Sequence, residues 1–297
     1  MLTNWLSSGI FLLFGLRIVA AVDVPPTKPA PAPISWLSDY RDALDRGESS
    51  SKMVLIWFVD PEPGWKAADA AFEEAVLEQP EIAGAIQNRF IPVKLPLDAR
   101  IVRDGQEIVP LQHAAFAEMR GTPGLAIVDM TDPDGPLFRQ VVSVYPFRGQ
   151  YITRERLAAL LHLPRGTLTQ RTLIFAVRTH PEHPASALSH LSAILARECE
   201  SHAFHQASIT LQGHHNWESR FHKINAQLPA GMVTQEVCAE SWTGQSLVEA
   251  AGECVHSWRQ SPGHWEAVSS RHTLFAYDMK LGANGVWYAT GIFARPY

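Results

Sequence analysis

The chain has 297 residues, 46% of them hydrophobic and 19% charged, which is the composition of a globular protein with enough length for two cores. Its net charge of −5 leaves no broad basic field and excludes a nucleic acid backbone as partner. Three cysteines, Cys199, Cys238 and Cys254, permit at most one bridge and rule out a disulfide framework; burial as small apolar residues is the expected use.

The first residues carry an apolar run from Ile10 to Leu16, an interrupting Arg17 and the small-residue patch Val19-Ala20-Ala21. This resembles a secretory signal over residues 1–22 with cleavage near Ala21, and it places the mature protein outside the cytoplasm, secreted or otherwise extracytoplasmic. A membrane-associated tail is the alternative, since no basic residue precedes the run and a spanning helix needs about 20 apolar residues. Residues 23–34 are proline-rich and read as an extended linker.

Folding is expected to begin near Ile34, with Ser35 a candidate cap for a helix striped by Trp36, Tyr40 and Leu44, which Gly47 to Ser51 ends. The run Lys52 to Val59 is unbroken apolar and rich in branched and aromatic residues, as a strand covered on both faces requires. A helix marked by Trp65, Ala68, Phe72 and Val76 follows, then a strand over 89–95 and a short helix through Phe116 and Met119. Strands over 125–130 and 138–144 and a helix over 153–163 complete this part.

That order, with Arg120-Gly121-Thr122-Pro123 opening the third strand, resembles the thioredoxin-like family over residues 35–165. The resemblance implies a cis bond before Pro123. The family's cysteine pair is missing: the loop after the first buried strand reads Asp60-Pro61-Glu62-Pro63-Gly64-Trp65-Lys66, and disulfide exchange needs a thiolate. A scaffold that docks a protein partner is what remains of that family's use.

The second region carries 11 of the 13 histidines. Leu188, Leu191 and Leu195 mark one helical stripe; Leu247, Ala251, Cys254, Val255 and Trp258 mark another. Ser261-Pro262 then opens a further helix, serine at the cap and proline at the first position, with His264 in the first turn. There the helix dipole disfavours an imidazolium, so a neutral ring is expected. Asn284-Gly285 signals a hairpin turn between two closing strands.

Gly213-His214-His215-Asn216-Trp217-Glu218-Ser219-Arg220-Phe221, Val237-Cys238-Ala239-Glu240-Ser241-Trp242 and Trp258 to His264 resemble, in order, the motifs of the bacterial CAP superfamily (cysteine-rich secretory, antigen 5 and pathogenesis-related proteins) over residues 172–297. The chain as a whole then reads as α/β, a thioredoxin-like domain followed by a CAP-type α/β/α sandwich. The resemblance implies a cleft of His214, Glu240 and His264, with Arg220 and Trp242 beside it. Ala239-Glu240-Ser241 stands where the family has Gly-Glu-Asn, and no second acid follows Trp258. Two neutral imidazoles and a carboxylate suit zinc or another divalent cation with an open position, and equally suit a metal-free cleft fixed by hydrogen bonds. The functional expectation is a non-catalytic module for a small-molecule, lipid or peptide ligand; a hydrolase with Glu240 as base is the alternative. His202, His205 and His215 could replace His214 in the role but read first as edge or helix-surface residues, and Trp217, Trp242, Trp265 and Trp287 are core residues or walls of an apolar groove.

Overall fold

The computed structural model describes residues 33–103 and 105–297. The expected leader and nearly all of the proline-rich linker lie outside the described residues. Among the described residues no helix is long and apolar enough to cross a membrane.

The chain runs α1 (Tyr40–Ser50), β1 (Met53–Val59), α2 (Lys66–Phe72), α3 (Pro80–Arg89), β2 (Phe90–Pro96), the small hairpin β3 (Ile101–Arg103) and β4 (Gln106–Ile108), β5 (Gly124–Val128), β6 (Val141–Pro146) and α4 (Arg154–Leu161). It continues with α5 (Leu168–Arg178), β7 (His190–Leu191), α6 (Ala193–Ile209), α7 (Trp217–Asn225), β8 (Met232–Glu240), α8 (Leu247–Gln260), α9 (Pro262–Ser269), β9 (Leu274–Leu281) and β10 (Trp287–Pro296).

The first sheet has the order β2-β1-β5-β6, with β1 parallel to β2 and antiparallel to β5. This is an α/β arrangement. Its centre is β1, whose alternate side chains enter two cores: Leu55 and Trp57 face Phe72, Ile82, Ile86 and Leu157, whereas Val54, Ile56 and Phe58 face Ala43, Phe116 and Met119. A strand with two apolar faces needs helices on both sides, and the sequence supplies them. Trp57 is wedged edge-on between Trp36 and Phe72, at 5.6 and 5.4 Å between ring centres.

Local details differ from the sequence reading. The cap of α1 is Asp39, whose carboxylate accepts the Asp42 N–H, so the helix starts five residues after Ser35. Asp39 also outcompetes Ser35 because Trp36 and Leu37 are held by the sheet: Leu37 exchanges backbone hydrogen bonds with Pro92 and Lys94. The peptide before Pro123 is trans; among the described residues no peptide is cis. The turn is made instead by positive φ at Arg120, Gly121 and Gly124. At Gly124 (φ +153°) a Cβ would lie 2.3 Å from the Tyr145 carbonyl oxygen, so only glycine lets the strands meet there.

The second sheet has the order β7-β9-β10-β8 and is the middle of a three-layer sandwich. On one face, Leu195 and Cys199 of α6 and Ile224 of α7 pack on Ala276, Ile292 and Ala294. On the other, residues of α5, α8 and α9 pack on Phe275, Tyr277, Met279 and Phe293. The hairpin turn falls at Asn284-Gly285, with Gly285 at φ +75°. The expected stripe Leu188, Leu191, Leu195 is not one helix: Leu188 lies in a short 3-10 turn, 62% exposed, Leu191 lies in β7, and only Leu195 belongs to α6. The chain is bent between them because Ser192 caps α6, accepting the Leu195 N–H.

Helix α5 joins the two sheets. Thr167 and Gln170 close a capping box at its start, and seven of its residues are buried. It packs against β6 of the first sheet and against β9 and α8 of the second, within one continuous apolar cluster. Its polar residues are shared in the same way. The fully buried Arg171 donates to Ser143 Oγ at 2.7 Å and to the Leu163 and Pro164 carbonyls at 3.2 and 2.7 Å. On the other side Thr169 and Gln170 donate to the buried Asp278 carboxylate at 2.6 and 3.3 Å. The start of α8 is held likewise: the Leu247 N–H donates to Glu118, and Arg148 donates to Ser246 and pairs with Glu249.

Candidate functional site

The histidines meet at the edge strand β8. Glycine and left-handed residues shape the loop that carries His214: Thr210 and Asn216 have positive φ, and Gly213 (φ +158°) turns the chain between them. Gly213 is tied to α6 at both backbone groups, its N–H donating to Gln206 Oε1 and its carbonyl accepting from His202 Nε2. His264 enters from α9. Ser261 occupies the cap position and Pro262 the first helical position, as the sequence suggests, but the Ser261 hydroxyl makes no cap bond because Ser261 also terminates α8.

His214 Nε2 and His264 Nε2 are 3.3 Å apart, with ring centres at 5.5 Å. The two distant motifs therefore converge. The His214 side chain is 41% exposed and His264 is half-buried, so the pair opens to solvent. Burial, then the neighbouring His214, lowers the His264 pKa, which keeps that ring neutral near pH 7. Here desolvation and a like neighbour act in the direction expected of the helix dipole.

The acid that holds His214 is Glu236, not Glu240. Glu236 Oε1 accepts from His214 Nδ1 at 3.1 Å, and Oε2 lies 2.6 Å from Arg220 Nη2. Its carboxylate is fully buried. Burial alone would raise its pKa, but the hydrogen bonds from His214 and Arg220 and the surrounding positive charge outweigh that and hold it below the usual value. Glu240 lies four residues further along β8, about 13 Å at the strand rise, exposed and without a hydrogen bond or ion pair to either imidazole. Arg220 faces inward rather than into a cleft: it neutralises Glu236 and lies 5.5 Å over the Trp217 ring.

The carboxylate fixes the tautomers. Glu236 takes the proton-bearing Nδ1 of His214, so Nε2 of His214 presents a lone pair to His264 Nε2; a hydrogen bond from His264 joins the two nitrogens in the metal-free state, and metal binding places the His264 proton on Nδ1 instead. Two imidazole nitrogens bound to one tetrahedral zinc sit about 3.3 Å apart at Zn–N distances near 2.05 Å, which is the separation found here. A carboxylate behind a ligating histidine is also the usual second layer of such sites. The pair therefore fits a divalent ion held by two nitrogens, with the remaining positions open.

The other histidines divide. His202 is buried on the inward stripe of α6, 3.7 Å from Glu236 Oε1, and burial above all lowers its pKa to about 4. It belongs to this site, in a layer behind His214 and not in its place. His205 and His215 stand beside it, with ring centres 6.1 Å away from it in both cases. The four tryptophans do not share a groove: Trp287 is buried and donates to the Gln245 carbonyl, Trp217 packs on Phe221, Trp265 donates to Glu182, and Trp242 is 69% exposed. The cysteines are all buried and free.

Glu236 and Cys238 are the site residues that motif reading misses, and His202 enters that reading only as a substitute for His214. A phase argument finds them: Thr234, Glu236 and Cys238 alternate on one face of β8, and Leu195, Cys199, His202 and Gln206 repeat at helical spacing.

No protein-family model matches the chain, and no curated protein matches it. Among solved structures, an outer surface protein from Borrelia burgdorferi is similar at 15% identity over 37% of this chain and 78% of its own, with a TM-score of 0.30. A protein described as DsbH oxidoreductase is similar at 16% identity over 44% of this chain and 85% of its own, with a TM-score of 0.28.

Proposed function

We propose that the protein is an exported, non-catalytic binding protein with a CAP-like C-terminal region, in which His214 and His264 hold a divalent ion of the zinc class. A small-molecule, lipid or peptide ligand completes the coordination. The observation that carries this reading is the 3.3 Å approach of the two Nε2 atoms, one of them backed by a buried carboxylate. Two protein nitrogens leave at least two positions of a tetrahedral ion for donors from outside. The hydrolase alternative is less well supported: Glu240, its expected base, makes no hydrogen bond or ion pair with either imidazole, and the Glu236 carboxylate is fully buried behind His214 with Arg220 on its other oxygen.

Titration of the full chain with zinc by calorimetry tests this. His264→Ala is expected to bind one equivalent less than the wild type, and Glu240→Ala to bind the wild-type number. Equal stoichiometry in wild type and His264→Ala would overturn the reading.

A further inference from the structure

Behind the exposed pair lies a second group of metal-binding side chains. His202 comes from α6, and Glu236 and Cys238 come from β8, two residues apart and so on the same face of the strand. All three are buried, and one ligand atom from each lies within 4.8 Å of the other two. His202 Nε2 is 3.7 Å from Glu236 Oε1, and Cys238 Sγ is 3.8 Å from His214 Nδ1. We propose that His202, Glu236 and Cys238 form a second, inner site for a divalent ion of the zinc class, distinct from the His214–His264 pair.

The donor set selects the ion. An imidazole, a thiolate and a carboxylate suit zinc or a neighbouring transition ion and not calcium or magnesium, which take oxygen ligands. A thiol buried beside a carboxylate is an unfavourable place for a second negative charge, and a divalent cation between them turns that repulsion into attraction. The existing partners of Glu236 do not block the site. Each carboxylate oxygen has two lone pairs, so Oε1 can accept from His214 Nδ1–H and still face an ion while Oε2 stays with Arg220.

Binding has a defined proton balance. The Cys238 thiol loses its proton to solvent as the sulfur–metal bond forms. The His202 ring, now donating from Nε2 to the Gly213 carbonyl, moves that proton to Nδ1 and gives the Nε2 lone pair to the ion. One proton is released per ion, and the ion then faces the new thiolate and the Glu236 carboxylate while Arg220 stays paired through Oε2.

Cobalt(II) is the probe, because a thiolate ligand gives an intense near-ultraviolet charge-transfer band that nitrogen and oxygen ligands do not. The full chain should develop this band on cobalt addition. His264→Ala, which removes the exposed pair, should keep it, so failure of the proposed function and failure of this site are told apart. Cys238→Ala and His202→Gln should each lose it, whereas Cys199→Ala and Cys254→Ala should retain it. Absence of the band from the wild type, or its survival in Cys238→Ala, overturns the site. Should the substitutions prevent folding, zinc-edge X-ray absorption on the zinc-loaded wild type decides: a sulfur neighbour supports the site, and a shell of nitrogen and oxygen alone overturns it.

Discussion

Strands β1 and β8 solve opposite problems. β1 is an inner strand of its sheet, and from Met53 to Phe58 it buries nothing but hydrophobic side chains. β8 is an edge strand, yet on one face it buries a carboxylate and a thiol at alternate positions. Burying apolar area is favourable at about 25 cal/mol per Å2, whereas an unpaired carboxylate costs several kcal/mol, so β1 needs only neighbours and β8 needs particular partners. Glu236 has them in Arg220, His214 and His202. The contrast separates a region built for stability from one in which stability is given up for placement.

The largest expected effect tests the first half. Trp57→Ala removes a fully buried ring that touches Trp36 and Phe72 and should lower stability by about 3–5 kcal/mol, seen as a reduced urea midpoint at unchanged slope. Glu236→Ala should cost about 3 kcal/mol, because it leaves Arg220 beside an apolar gap; Glu240→Ala, on the same strand but exposed, should cost under about 0.5 kcal/mol.

The two strands should also part in their response to pH. In metal-free protein, His202 has its folded pKa near 4 against about 6.5 unfolded, so the unfolded chain takes up a proton first as pH falls. Stability should therefore be level above pH 6.5 and drop by about 3 kcal/mol between pH 6.5 and 4. Glu236, held low in the folded state, adds a further loss below about pH 4.3, as it protonates in the unfolded chain first. His202→Gln should flatten the upper part of the curve, whereas the loss caused by Trp57→Ala should be the same at pH 7 and pH 5. Chelator-treated protein unfolded in urea across this range checks both.

Smaller effects locate the boundary between them. Thr167→Ala opens the capping box of α5 and should cost about 1 kcal/mol. Asp42→Asn breaks an exposed pair with Arg46 on α1 and should change stability by less than about 0.5 kcal/mol.

Much of the fold was legible. The unbroken run of β1, the Leu247 to Trp258 stripe and the Asn284-Gly285 turn each follow from a period or a turn residue that local chemistry enforces. His214 and His264 were legible as a pair, since both sit beside strong loop or cap signals. Their acid was not, because motif order pointed to Glu240 while side-chain phase along β8 and a cation from α7 select Glu236. The cis bond expected at Pro123 came from the family resemblance and not from a local signal, and the peptide is trans, with positive φ at Arg120, Gly121 and Gly124 around it.

Helix α5 bears on how this chain is inherited and handled. A cut at residue 172 passes through the helix just after Arg171 and strands apolar surface on both pieces, with Leu173, Ile174, Phe175 and Val177 parted from the first sheet. Gene shuffling or a truncated expression clone that treats the halves as exchangeable cassettes would release two sticky fragments, so the pair must travel as one inheritance.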